Sequence, residues 1–250
     1  MANDPIHQFR IHDIAGPWNI AGYEISFTNS ALFMGITVGT ITLILFFATL
    51  RGGLVPSRLQ SVGEMWYGLI DNMVKNILGE EGRKFFPLVF SLFSFVLIAN
   101  MLGMFPYFFT VTSHVIVTAS LAVFVVALVV VVGIYKHGLG WFKLFVPHGV
   151  PLAILPIISL IEFISFLSRP ISLGLRLFGN MLAGHIVLKV FAGFVVSLTA
   201  LGIGGILGSI APMLMAVALT ALEFLVAGLQ AFVFAILTCV YLNDALHPSH

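Results

Sequence analysis

The sequence predicts an all-α, polytopic integral membrane protein, and three observations carry that expectation. Only 8% of its 250 residues are charged, against about 25% in soluble domains, while 60% are hydrophobic and the mean hydropathy is +1.11. Uncharged apolar runs recur along the chain, several reaching the roughly 20 helical residues needed to cross a hydrocarbon core. The few polar residues inside the C-terminal runs fall at helical spacing. About five membrane-embedded helices and one interfacial amphipathic helix follow, in a single membrane domain spanning 1–250.

The same composition excludes other classes. A net charge of +1 without a basic tract gives nucleic acid nothing to bind. The single Cys239 rules out an intrachain disulfide framework and a multi-cysteine metal site, so no metal and no cofactor are expected.

Residues 1–24 open a polar stretch, MANDPIHQFRIHDIAGPWNIAGYEIS, without the basic-then-apolar pattern of a cleaved signal peptide, and are expected to be retained. Residues 25–50 are a mostly apolar, uncharged run and the first span, ended by Arg51-Gly-Gly and Pro56. Across 56–79, Leu59, Val62, Trp66, Leu69, Ile70, Met73 and Ile77 form one apolar stripe, with Arg58, Glu64, Asp71 and Lys75 outside it. A helix so patterned lies in the interface plane rather than crossing.

Residues 85–135 read as a transmembrane hairpin of two uncharged runs, Phe85 to Phe105 and Val115 to Tyr135, joined by a link with Pro106, Tyr107 and His114. Asn100, near that link, is either helix-helix glue or a pathway residue; His114 is either a loop histidine or a channel-lining one. Lys136, His137, Lys143, Pro147 and His148 mark the next loop.

Residues 150–245 form a long helical hairpin about the turn LGIGGILG at Leu201 to Gly208. Its first arm, some 45 residues at 1.5 Å each, would extend about 65 Å, too far for an upright span. It therefore tilts strongly or breaks at Pro170. Five lysines and arginines between Arg51 and Lys84, two in 136–149 and none in the link before Val115 place the first two segments in the cytoplasm. The N-terminus is then outside and the C-terminus inside.

Helical spacing puts Glu162, Arg169, Arg176 and Asn180 on one face of the first arm, with His185 on roughly the opposite side. A guanidinium at the bilayer centre costs at least about 2.5 to 3.5 kcal/mol, so Arg176 calls for a functional reason. In an antiparallel hairpin turning near residue 203 or 204, positions equidistant from the turn make Arg176 face Gln230 and His185 face Glu223, and put Glu162 level with Asp244. Stacked along the membrane normal, titratable groups approach a permanent positive charge from both sides, as in two offset half-channels with an electrostatic barrier between them. The plainer alternatives are that His185 and Glu223 are a mutually satisfied buried pair, that Glu162 snorkels to the interface, and that Arg169 partners a carboxylate or lipid headgroup. Arg176 has no obvious carboxylate at its own depth, which points to one on another subunit.

The runs SRPISLGLRLFGNMLAGH and ALEFLVAGLQAFVFAILTCVYLNDALH resemble subunit a of F-type ATP synthases, the stator part of the membrane proton channel. The resemblance implies that Arg176 is the stator arginine facing rotor carboxylates, with Asn180 and Gln230 as polar neighbours. It implies Glu162 for the cytoplasmic half-channel and His185 with Glu223 for the outer one, in an order that some members reverse. It further implies a tilted hairpin wrapping the rotor c-ring, and as partners that ring, peripheral-stalk b subunits, the remaining synthase subunits, membrane lipids and the translocated proton. A multi-pass subunit of the bacterial inner membrane without covalent chemistry is expected. The alternative, an ion-coupled secondary transporter, calls for an internal repeat and matching interrupted helices. Neither is found. An intramembrane hydrolase built on Glu223 and His185 lacks an HExxH or serine-histidine arrangement.

Overall fold

The computed structural model describes residues 10–20, 23–50, 56–105, 108–145 and 154–247. Of the features singled out above, residues 1–9, Arg51-Gly-Gly, Pro106, Tyr107, Pro147, His148 and the side chain of Lys143 lie outside the described residues. Six α-helices follow a two-stranded sheet: β1 (Asp13–Ile20), β2 (Tyr23–Thr28), α1 (Asn29–Thr49), α2 (Arg58–Leu78), α3 (Phe86–Gly103), α4 (Val115–His137), α5 (Leu155–Thr199) and α6 (Ile203–Leu246). Short 3-10 turns at Glu80–Phe85, Val111–Ser113 and Gly138–Phe145 complete the order. Among the described residues five helical segments are long and apolar enough to cross a membrane: α1, Glu80–Gly103, α4, α5 and α6. The all-α polytopic class is therefore correct.

The first span starts later than the composition suggests. Residues 25–28 are apolar enough to count toward a span, yet they belong to β2, which pairs antiparallel with β1 from Asp13↔Thr28 to Ile20↔Tyr23. The alternation in Tyr23-Glu-Ile-Ser-Phe-Thr suits a strand, and Asn29 marks the true helix start. Its Oδ1 accepts from the N–H of Ser30 at 2.9 Å and of His12 at 3.2 Å, while its Nδ2 donates to Arg10 O at 3.1 Å.

The chain folds as two compact units. One holds Met1–Leu43, Phe95–His114 and Leu177–Ala231; the other holds Ile44–Ser94, Val115–Arg176 and Phe232–His250. Val96, Ala99, Asn100, Val111, Leu177, Ala227 and Ala231 are buried in the first. Val89, Val125, Val129, Phe234, Ala235, Cys239 and Leu242 are buried in the second. Ala227, Ala231, Ala235 and Cys239 continue one line of small residues along α6, which lets other helices approach its backbone.

In the second unit, Ser57 caps α2 by accepting from Gln60 N–H at 3.3 Å, and Gly79 ends it. The apolar stripe of α2 divides: Ile70 and Met73 are buried with Val74 and Leu78, whereas Leu59, Val62 and Leu69 are exposed. Part of the stripe is therefore left uncovered by the protein.

Pro170 does not break α5, which runs unbroken from Leu155 to Thr199. The turn into α6 is also tighter than LGIGGILG suggests. Gly202 adopts φ 86°, the left-handed region glycine enters without strain, and α6 begins at Ile203.

Candidate functional site

In the first unit, helices α3, α5 and α6 and the link after α3 bring polar residues together in an apolar interior. His185 and Glu223 are 7% and 8% exposed, with His185 Nδ1 3.7 Å from Glu223 Oε2. The pairing expected from the hairpin register is thus present. The gap exceeds hydrogen-bond length, and among the described residues neither carboxylate oxygen of Glu223 has a hydrogen-bond partner. Gly184 makes room for this carboxylate. A Cβ at Gly184 would lie 2.0 Å from Glu223 Oε1.

One turn further along α6, Ala227 O accepts from Asn100 Nδ2 at 3.2 Å, so Asn100 links α3 to α6 beside Glu223. Asn100 is fully buried, and its Oδ1 has no hydrogen-bond partner among the described residues. Asn180 Nδ2 donates to Gln230 Oε1 at 3.0 Å, while the buried Gln230 Nε2 has no hydrogen-bond partner among the described residues. Buried polar groups are nearly always satisfied. Asn100 Oδ1, Thr112 Oγ1, both oxygens of Glu223 and Gln230 Nε2 are buried in this unit without a hydrogen-bond partner among the described residues. Such atoms suit a hydrated path.

The link after α3 folds inward. Phe109, Thr110, Val111, Thr112 and Ser113 are all buried, and Thr110 Oγ1 lies 3.0 Å from His185 Nε2. His114 stacks on Phe109 with ring centroids 4.7 Å apart, and burial pushes its imidazole below the ordinary 6.5.

In the second unit, Arg176 is exposed, and its Nη2 makes a long 3.5 Å hydrogen bond to Ser172 Oγ on its own helix. Glu162 is exposed as well. Asp244 Oδ2 receives Arg169 Nη1 at 3.0 Å. The Arg169 guanidinium also lies 4.9 Å from the Tyr241 ring centroid and 5.4 Å from that of Phe166. Of the readings open for Arg169, partnership with a carboxylate is the one present.

Sequence reasoning missed Thr110 and Gly184. Threonine in a link and glycine in a helix carry no charge signal, and each matters only through what folds against it. No group of three or more histidine, cysteine or carboxylate side chains able to hold a metal occurs among the described residues.

The family described as ATP synthase A chain matches residues 31–243. The chain is 65% identical over 247 residues to ATP synthase subunit a of Mesorhizobium japonicum, covering 99% of this chain and 98% of that one. It is 62% identical to the subunit a of Sinorhizobium medicae, covering 99% of each chain, and 61% identical to that of a Chelativorans strain over the full length of both.

Proposed function

The chain belongs to the ATP synthase subunit a family, part of the proton-translocating Fo sector, and from that premise we propose that Arg176 discharges rotor-ring carboxylates between two offset half-channels. The observation that carries this reading is Arg176 itself: an exposed, permanently charged side chain midway along an apolar helix, whose hydrogen bond among the described residues goes to Ser172 of that same helix. Facing lipid would be costly, so the face that bears it meets another subunit with compensating carboxylates.

A proton arrives from outside by way of His185 and Glu223, with Asn100 and His114 along the approach, and protonates a carboxylate of the c-ring. After most of a turn the loaded carboxylate meets Arg176. The fixed positive charge favours its ionised form, an effect of about 1 to 3 pKa units for such neighbours, and the proton leaves past Glu162 to the cytoplasm. Arg176 also repels protons from the direct route, so flux requires rotation. Asn180 and Gln230 are its polar neighbours in this scheme. Arg169 and Asp244 hold the cytoplasmic ends of α5 and α6 together. The subunit sits in the bacterial inner membrane, N-terminus outside and C-terminus inside, against the c-ring, peripheral-stalk b subunits and lipid. ATP chemistry belongs to other subunits.

The test is access. Glu162→Cys and His185→Cys, each in a Cys239→Ser background, should be blocked by silver ion from opposite sides of the membrane in assembled complexes. Block of both from the same side rejects the two half-channels.

A further inference from the structure

Thr110 sits between a carbonyl and an imidazole. Its Oγ1 lies 3.2 Å from Gly103 O and 3.0 Å from His185 Nε2, and Thr110 is 2% exposed. The approach is built in: a Cβ at Gly103 would lie 2.6 Å from Thr110 Cγ2 and 3.0 Å from its Oγ1, so only glycine admits the threonine here. Gly103 is the last residue of α3, where helix carbonyls need donors from elsewhere. A carbonyl can only accept. The single hydroxyl proton of Thr110 therefore goes to Gly103 O, and the oxygen's lone pair is left for a hydrogen on His185 Nε2.

We infer that Thr110 is a positioning residue that holds His185 in its Nε2–H form and so makes Nδ1 the atom that exchanges a proton with Glu223. This rests on the reading of His185 and Glu223 as the outer half-channel pair. With Nε2 protonated, the Nδ1 lone pair faces Glu223 Oε2 at 3.7 Å. A proton delivered to the carboxylate can pass to Nδ1, giving an imidazolium and a carboxylate, and the same proton returns by Nδ1 to leave both groups as they began. The other side of the ring is closed. A proton leaving Nε2 through Thr110 would require the hydroxyl to give its own to the Gly103 carbonyl, which is far too weak a base to hold it. The imidazole thus loads and unloads on one side, and Asn100, fixed to Ala227 O, stands on the α6 side where that exchange occurs.

The experiment is ATP-driven proton pumping by the whole synthase in inverted vesicles, with assembly checked for each variant. Thr110→Val and Thr110→Ala both remove the hydroxyl, one keeping the volume and one adding no branch. Each should slow pumping roughly five- to tenfold, the scale of one buried hydrogen bond, and Thr110→Ser should recover at least half of the loss. In a His185→Asn background, Thr110→Val should cost nothing further. Normal pumping by either hydroxyl-free variant overturns the inference. So does a loss that serine does not restore, or one that multiplies with His185→Asn, because Thr110 then acts by packing. A wild-type rate for His185→Asn alone rejects the outer-channel reading itself, a separate result. A second measurement needs no Thr110 variant. In the 15N spectrum of the histidine-labelled wild-type complex, the His185 signal, identified by its absence in His185→Asn, should report the Nε2–H form; the Nδ1–H form contradicts the proposal.

Discussion

Helices α5 and α6 are nearly the same length, 45 and 44 residues, and both are apolar with a proline inside, yet the protein treats them differently. Of the most apolar stretch of α5 only 11% is buried, against 44% for α6. Some of their polar residues follow the same division, although His185 on α5 is only 7% exposed. Glu162 and Arg176 on α5 are exposed, whereas Glu223 and Gln230 on α6 are 8% and 4% exposed. The small-residue line of α6 explains part of this, because it lets neighbouring backbones close over that helix. Helix α5 instead presents Ile157, Leu160, Ile161, Ile164, Leu167 and Ile171 outward, a face no soluble protein would leave bare. The difference teaches where each charge finds its counterpart. A buried carboxylate on α6 faces His185 within the chain; on the reading proposed above, an exposed arginine on α5 is answered by another subunit.

The largest effect should come from Arg176, since nothing in the chain substitutes for it. Removing a charge that shifts a partner's pKa by about 1 to 3 units changes the ionised fraction roughly 10- to 1000-fold, so Arg176→Ala should abolish ATP-coupled pumping. Passive proton leak should rise, because the barrier to the direct route goes with the guanidinium. Arg176→Lys should also fail, for want of reach and of the planar fork. Normal ATP synthesis in vesicles containing the assembled Arg176→Ala complex would mean that α5 is not the helix that answers outward.

Next in size is the inward pair. His185→Glu or Glu223→His alone leaves a buried group without its complement, a cost of about 1 to 3 kcal/mol, or roughly 5- to 150-fold in pumping. The exchange of both keeps the pair's composition and should recover much of that loss. As a double-mutant cycle in assembled synthase, strictly multiplying losses would show two independent residues and remove the pair from the comparison.

What was legible beforehand follows the same inward and outward division. Apolar runs and charge bias announce spans, so five segments could be counted, and helical spacing with one turn was enough to bring His185 to Glu223. The register does not foretell which side chain Asp244 meets, because a long side chain reaches past its own turn: it is Arg169. Ile25 and Phe27 read as membrane residues because a count of apolar side chains does not see strand pairing with Asp13–Ile20. Thr110 and Gly184 were invisible for a deeper reason. Their importance lies in backbone carbonyls and missing atoms, which a residue alphabet does not encode.

Gly184 offers the third effect and a sharper probe of α6's buried carboxylate. An added methyl would fall 2.0 Å from Glu223 Oε1, the far end of a flexible side chain, so the carboxylate can swing aside without unfolding the helix. Gly184→Ala should assemble normally while pumping falls on the order of tenfold, because proton exchange depends on sub-ångström placement of the two groups. Restoring space by Glu223→Asp, one methylene shorter, should recover part of the rate. Unchanged pumping in Gly184→Ala would mean that the position of the Glu223 carboxylate is not what limits proton uptake.

The smallest effect concerns the second place, besides His185, where α5 answers a carboxylate of α6. Arg169 and Asp244 are 22% and 23% exposed, enough solvent to screen the pair but not to dissolve it, and the rings of Tyr241 and Phe166 hold the guanidinium in place. A coupling of about 1 kcal/mol is appropriate for a partly exposed ion pair with good geometry. Arg169→Gln and Asp244→Asn should each lower the thermal stability of the detergent-solubilised complex by a few degrees, and the double variant should lose little more than either single. Proton pumping at moderate temperature should stay within about twofold of wild type, because a surface-screened clamp holds helix ends and carries no proton. Additive losses of stability would dismiss the clamp. A large loss of pumping with stability intact would instead promote Arg169 to the outward-answering set with Arg176, and the division between the two helices would have to be redrawn one turn at a time along α5.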